Sequence, residues 1–564
     1  MDEHMLVAPN YSTEDVMEEV DQDDELRARL QIVREELEAG RLRFAKDMKV
    51  IDSLKAVRYG PDGKVDLSTV DGSVRSLANV VTHFRQRRQA TEAVSLRDLQ
   101  ETYFTYIERH FGWLHIKMKE QGASPSQVGA ALAANPDAVA DFKANLPKFL
   151  EMIDDLWEQT WDSAHYHVQD LTGLKAVFGG ETFPSGRKNV VSSSGVYTDT
   201  IVLPDPFLRT KVFTQREDAN AVRWCVKSAM ALLNYREAAL ADVKVPLVVI
   251  APDATYVDDE QRKAMVQYSE PSVIKHLRAL FGVPFGSIEE AERFLRGLKS
   301  PQDVTGKLAD QKRLLFHLGD NAPLEQQIEE YMRDYFSEFY EGVAGLAVLS
   351  SAMGRMRQAT DLLRRSAWLG GTPLIDAPTS WQYFSWKLAY DAEGSSEGSD
   401  LNLHMTRALQ NAADYEMEWL GKVPIEALIE MRKQNVMPEL RQMLSQGVET
   451  LMELRPDNFH RTGDQVIKNI QDAFDEHRKN LRKLTGKKWR FAGVELGSCI
   501  AKGAIQIASA FGVPGVSLLG TAIDQSVDVP KLKDLPKKFR ALKEEHQKTH
   551  RSAVGLLFNA SRED

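Results

Sequence analysis

Two aspartates stand where α/β enzymes keep catalytic carboxylates. Asp205 in Pro204-Asp205 and Asp253 in Pro252-Asp253 each follow a short apolar, β-branched run. A nuclease-like site would pair such an aspartate with a spaced acid and a lysine around Mg²⁺ and water. Asp259, Glu260 and Lys263 do follow Asp253, but the spacing is not Glu-x-Lys and the acids read as a helix start. Lys211, downstream of Asp205, has no acid two residues before it. A strand end leading into a capped helix accounts for both positions.

Other chemistries find weaker footing. Glu181-Thr182-Phe183-Pro184-Ser185-Gly186-Arg187-Lys188 comes near a phosphate loop. It lacks the leading glycine that lets backbone N–H groups cradle phosphate, and Arg187 takes the place of the lysine. His110 and His115 are five apart, about 140° around a helix, and so do not share a face. His165 and His167 are two apart in a segment that reads as helix. No HExxH or GxGxxG pattern occurs, and no GxSxG elbow stands between a strand and a helix. Two distant cysteines, Cys225 and Cys499, exclude a disulfide framework and a thiolate zinc cluster and fit a reducing cytosol. No cofactor, metal ligand or catalytic residue is assigned.

The 564 residues carry 71 Lys+Arg and 82 Asp+Glu, a formal charge of −11. Such a balance argues against a surface built wholly for nucleic acid, which needs a dense basic face. Hydrophobic residues make up 43%, enough for a sizeable core. The first 25 residues hold ten carboxylates, so an acidic solvated arm is expected there and a cleaved export signal is not.

These residues must be positioned by mostly helical elements. Leu30, Leu37, Phe44 and Ile51 fall seven apart. The spacing suits an amphipathic bundle helix or, as the sharper reading, an oligomerising heptad stripe over 26–51. Tyr59 to Lys64 carries turn chemistry for a small hairpin. Asn135-Pro136 reads as a helix cap, and Val139 to Trp157 keeps helical spacing. After Asp170 glycines and prolines punctuate extended runs: Asn189-Val190-Val191, Val196 to Leu203, and Val245 to Ile250, with a helix over 219–242. That order predicts a small α/β insert. Pro323 to Arg365 reads as one long helical pattern, stopped by Gly370-Gly371 and Pro373. Trp381, Tyr383, Phe384, Trp386 and Tyr390 form an aromatic cluster, read as core. The fold expected is mainly α: a multidomain helical protein with a small α/β insert. Its units are 1–165 (helical, with the acidic arm), 166–255 (the insert), 256–400 (helical) and 401–564 (helical).

The C-terminal unit contains an apolar, glycine-rich segment, 491–523, between two basic stretches. The first holds Arg478, Lys479, Arg482, Lys483, Lys487, Lys488 and Arg490, with Trp489 among them. Three readings compete: a close-packed helical hairpin with a cationic rim, an apolar hairpin that meets an anionic membrane surface, or a basic face for nucleic acid or another acidic partner. Lys487, Lys488, Trp489, Arg490 and Phe511 are the expected partner- or membrane-contact residues.

Val423 to Arg432, followed by Pro438-Glu439-Leu440-Arg441, resembles a helix start found in large, poorly characterised bacterial helical proteins of antiviral (antiphage) defence neighbourhoods. Tyr197 to Pro206 looks like a second element of that group. The match covers about a tenth of the chain and carries no catalytic residue. The resemblance implies a cytoplasmic protein, peripheral to the inner membrane in the membrane reading. The expected function is a non-enzymatic recognition or effector protein acting through a protein partner or a membrane surface. The alternatives are a divergent metal-dependent hydrolase or nuclease with its site in 170–263, and a homo-oligomeric scaffold built on the heptad stripe.

Overall fold

The computed structural model describes residues 22–44, 49–61, 63–181, 183–184, 189–208, 218–253, 259–316, 322–334, 342–392, 400–454, 459–486, 490–491, 494–495 and 552–560. The architecture is mainly α with a small parallel sheet. No helix among the described residues is long and apolar enough to cross a membrane.

The N-terminal helices are α1 (Gln22–Glu38), α2 (Val50–Ala56), α3 (Gly72–Ala93), α4 (Leu96–Glu120), α5 (Pro125–Ala133) and α6 (Pro136–Asp170). Their starts follow from capping chemistry. The side chains of Asp71, Ser95, Ser124 and Asn135 each accept from a first-turn backbone N–H, and Pro125 and Pro136 occupy the position where an N–H would go unused. The apolar stripe over 26–51 does not run along one helix. α1 ends at Glu38, and the chain turns through Gly40 at φ +67°, a left-handed value that glycine adopts freely. Leu30 and Val33 pack on Val74, Ala78 and Val81 of α3 in a small core of their own, while Phe44 and Ile51 lie beyond the helix. Glu36 fastens this pair: its buried carboxylate accepts from Arg41 at 2.8 Å and from Arg88 at 2.8 Å.

The sheet is built from β1 (Lys175–Phe178), β2 (Thr200–Pro204), β3 (Val248–Ala251) and β4 (Thr372–Leu374), all parallel, in the order β3-β2-β1-β4. Between them lie α7 (Val190–Ser194), α8 (Asp218–Leu233), α9 (Arg236–Ala239), α10 (Asp259–Phe281), α11 (Ile288–Leu295), α12 (Pro301–Thr305), α13 (Leu324–Asp334) and α14 (Ala344–Trp368). Three strands come from the expected insert. The fourth comes from 372–374, which the sequence reading treated as a helix stop. A second correction concerns Asn189-Val190-Val191, expected to be extended. Asn189 accepts from Val191 N and opens α7, and β2 begins only at Thr200.

Strand alternation sends Ala176, Phe178, Ile201, Leu203, Val248 and Ile250 to one face, within a core that also takes in Tyr103, Trp157, Met405 and Leu557. Val177, Val202, Val249 and Ala251 face Ala359 and Leu362 of α14. Helices on both faces explain why each strand is buried throughout. The exposed edge of β3 is closed by a side chain. Gln100 of α4 donates to Ile250 O and accepts from Ile250 N, both at 2.8 Å, as a neighbouring strand would.

The remaining helices are α15 (Pro378–Ala392), α16 (Leu401–Tyr415), α17 (Ile425–Lys433), α18 (Met437–Ser445), α19 (Val448–Leu454), α20 (Phe459–Gly486) and α21 (Ala553–Ala560). Tyr383, Phe384 and Tyr390 of the aromatic cluster are buried. Arg490–Phe491 and Val494–Glu495 pair as a short antiparallel ladder. Lys487, Lys488, Trp489, Phe511 and nearly all of 491–523 lie outside the described residues.

Candidate functional site

The strand order places a topological switch point between β1 and β4, the position where open parallel sheets form a ligand crevice beyond their carboxyl ends. Gly179-Gly180 follows β1, Asp205 follows β2, Asp253 lies two residues past β3, and α15 starts four residues past β4.

The alternation of the strands decides what the two aspartates can do. Asp205 continues the parity of Ile201 and Leu203, and Asp253 that of Val249 and Ala251. They therefore point to opposite faces of the sheet. Asp205, 0% exposed, accepts from the Trp157 indole Nε1 at 2.6 Å and from the amides of Phe207 and Leu208 at 2.6 and 3.1 Å. Burial raises its pKa, against the opposing pull of the Trp157 bond and those amides. Asp253, 1% exposed, accepts from Arg365 Nη1 at 2.9 Å. Beside this pair His165 is sandwiched between Trp161 and Trp368, at ring separations of 4.0 and 4.6 Å. Burial takes its pKa down to about 4, so it is neutral at pH 7.

Among the described residues, the groups around the switch point bond to one another. Arg365 Nη2 donates to Phe178 O at 2.8 Å, Ser380 Oγ to Gly180 O at 2.7 Å, and Arg355 Nη1 to Ser380 Oγ at 2.9 Å. A side chain at Gly179 would meet Leu362 at 2.7 Å. These glycines serve close packing. The two carboxylates do not form the converging pair that a metal-dependent hydrolase over 170–263 requires. Among the described residues no cluster of three His, Cys, Asp or Glu side chains could hold a metal ion.

The two resemblance motifs meet in space. Arg432 donates to the carbonyls of Thr198, Gly195 and Asp199 at 2.8, 3.1 and 3.2 Å. Arg441 donates to Tyr197 O at 2.7 Å and pairs with Asp199. Asp199 in turn accepts from Leu174 N at 2.7 Å, at the mouth of β1. Their work is to clamp the loop that leads into β2.

A different surface is left open. The C-terminal half of α4, α5 and the start of α6 enclose a cavity of about 470 Å³ with Phe111, Leu146 and Phe149 in its lining. A second, of about 550 Å³, adjoins it and shares Leu114 and Leu132. Trp113, which lines the first cavity, and Ile116, three residues further along α4, are 65% and 59% exposed. Gly129 sets this geometry: a Cβ there would lie 2.6 Å from Arg223 O, so only glycine lets α5 lie this close on α8. The sequence reading missed this face. Its only visible signal was an aromatic and an isoleucine on the polar side of α4.

No family model, curated protein or solved structure matches this chain.

Proposed function

We propose that the protein is a non-enzymatic recognition or effector protein of bacterial antiviral defence, working through a docking face that meets a protein partner or a membrane surface. One observation carries the reading: the strand-end carboxylates Asp205 and Asp253, and Arg365 of α14, are spent on internal contacts, while the α4–α5–α6 face keeps Trp113 and Ile116 largely in water. Exposed apolar groups beside a groove are the usual mark of an interaction surface. The defence setting rests on the likeness of the 197–206 and 423–441 motifs alone.

The test is a phage challenge of bacteria expressing the full chain. Wild type should protect, and the double variant Trp113→Asp, Ile116→Asp should fold with an unchanged thermal midpoint yet lose protection. Full protection by that variant overturns the face; no protection by wild type overturns the defence setting. Flotation with phosphatidylglycerol vesicles separates a membrane from a protein partner.

A second reading is supported by the strand order. A small molecule could be held at the switch point between β1 and β4 after Arg355 and Ser380 move. Thermal shift of the full chain with a panel of nucleotides tests it, and no shift with any of them removes it.

A further inference from the structure

The cavity between α4 and α6 has a chemistry that selects its occupant. Its depth is apolar: Phe111, Leu146 and Phe149 are each nearly buried and line it together with Val226. Its polar groups are few: His110, Asp141 and Asn145. His110 lies edge-on to Phe149 at 5.4 Å, and partial burial, then the nearby Arg109 charge, lower its pKa, which favours the neutral imidazole. Asn145 is engaged with the backbone carbonyl of Asp141 at 2.9 Å. The Asp141 carboxylate forms no ion pair among the described residues and is the lone charged group lining this cavity. In the adjoining cavity Lys117 is already paired with Glu120 at 2.9 Å. The free charge at the opening is therefore negative. Trp113 lines the same cavity with most of its surface in water, and an indole face attracts cations.

We propose that this cavity binds an organic cation, with an apolar body seated among Phe111, Leu146 and Phe149 and a positive head group left at the opening with Asp141 and Trp113. The inference rests on the reading of this face as the recognition surface and names the ligand class it takes. A volume of about 470 Å³ suits a body of small-ligand size. An anionic amphiphile finds no unpaired cation in the lining. A neutral one gains the apolar contacts alone.

The experiment is calorimetric titration of the full chain with three probes that share one tail: octyltrimethylammonium, octyl sulfate and octanol, all below their aggregation limits. Saturable one-to-one binding of the cation is expected, about tenfold or more tighter than the sulfate, roughly the weight of one electrostatic contact of 1.4 kcal/mol. Asp141→Asn should remove that preference and leave octanol binding unchanged. Leu132→Trp should fill the cavity and abolish binding of all three. If that variant fails to fold, Ala138→Trp on the first turn of α6 serves the same purpose. Saturable binding that ignores the head group, or survives Asp141→Asn with its preference intact, overturns the cation assignment and leaves the face standing. Absence of saturable binding by every probe overturns the ligand assignment, while the phage challenge with Trp113→Asp, Ile116→Asp judges the face separately.

Discussion

Arg432 donates to the Thr198 carbonyl oxygen at 2.8 Å, joining helix α17 to the loop before β2. The same guanidinium reaches Gly195 O, Asp199 O and Leu428 O. Burial draws its pKa down to about 10, partly offset by Asp199, so it stays charged at neutral pH. A lysine has one ammonium and no planar fork to reach several carbonyls at once. Arg432→Lys is expected to lower the unfolding free energy by about 2 kcal/mol, from buried carbonyls left unpaired. Urea unfolding followed by circular dichroism measures this. A loss within error would mean the clamp is not structural.

Asp205 and Trp157 make a second test. In Asp205→Asn the side chain can still accept from the Phe207 and Leu208 amides, but its NH₂ then faces the Trp157 N–H, where no hydrogen bond is possible. The folded-state pKa of Asp205 is raised by burial. Its contribution is therefore fully present below the unfolded carboxylate value, near 4, and is lost as pH rises from there through the raised folded value. The stability advantage of wild type over Asp205→Asn should shrink as the pH is raised above about 4. An advantage that grows with pH would contradict the environment described.

Glu36 has the opposite sign. The Arg41 hydrogen bond first, then that of Arg88, lowers its pKa to about 2. The stabilisation is present above the unfolded value, near 4.3, and is lost as pH falls toward 2. Wild type should exceed Glu36→Gln most at pH 6 and converge with it by pH 2 to 3. Hydrogen exchange of α1 amides reads this locally, since α1 and α3 hold a core of their own. Equal protection in both proteins at pH 6 would show that the two arginines add nothing.

Gln100 closes the edge of β3. Gln100→Leu keeps the volume but leaves Ile250 N–H and C=O buried without partners. About 2–4 kcal/mol of stability should be lost, one desolvated group at each end of the peptide unit. Thermal unfolding of the full chain measures it, and a shift below 1 °C would show that water or another group takes over the edge.

Helical content was readable from spacing and caps because both are local: Ser124-Pro125 and Asn135-Pro136 specify helix starts wherever they fold. The β-branched runs ending at Leu203 and Ile250 announced two buried strands in the same way. The residues around Val190 misled, since a β-branched pair has no fixed state until Asn189 caps it and Arg432 and Arg441 claim the carbonyls downstream. Thr372–Leu374 is too short to carry a period, and it became a strand only because β1 offered an open edge. The heptad over 26–51 was a true apolar spacing in a chain that Gly40 turns away.

Chemistry divides along the same line. Residue type and flanking prolines place Asp205 and Asp253 at strand ends from the sequence by itself. Whether two strand-end carboxylates meet depends on side-chain parity across neighbouring strands, and only the assembled sheet sets that register. It sent one to Trp157 and the other to Arg365, on opposite faces. The open groove was likewise invisible along the chain, because it exists only where three helices, held apart at one end by the closeness of α5 to α8, leave space that no single helix encodes.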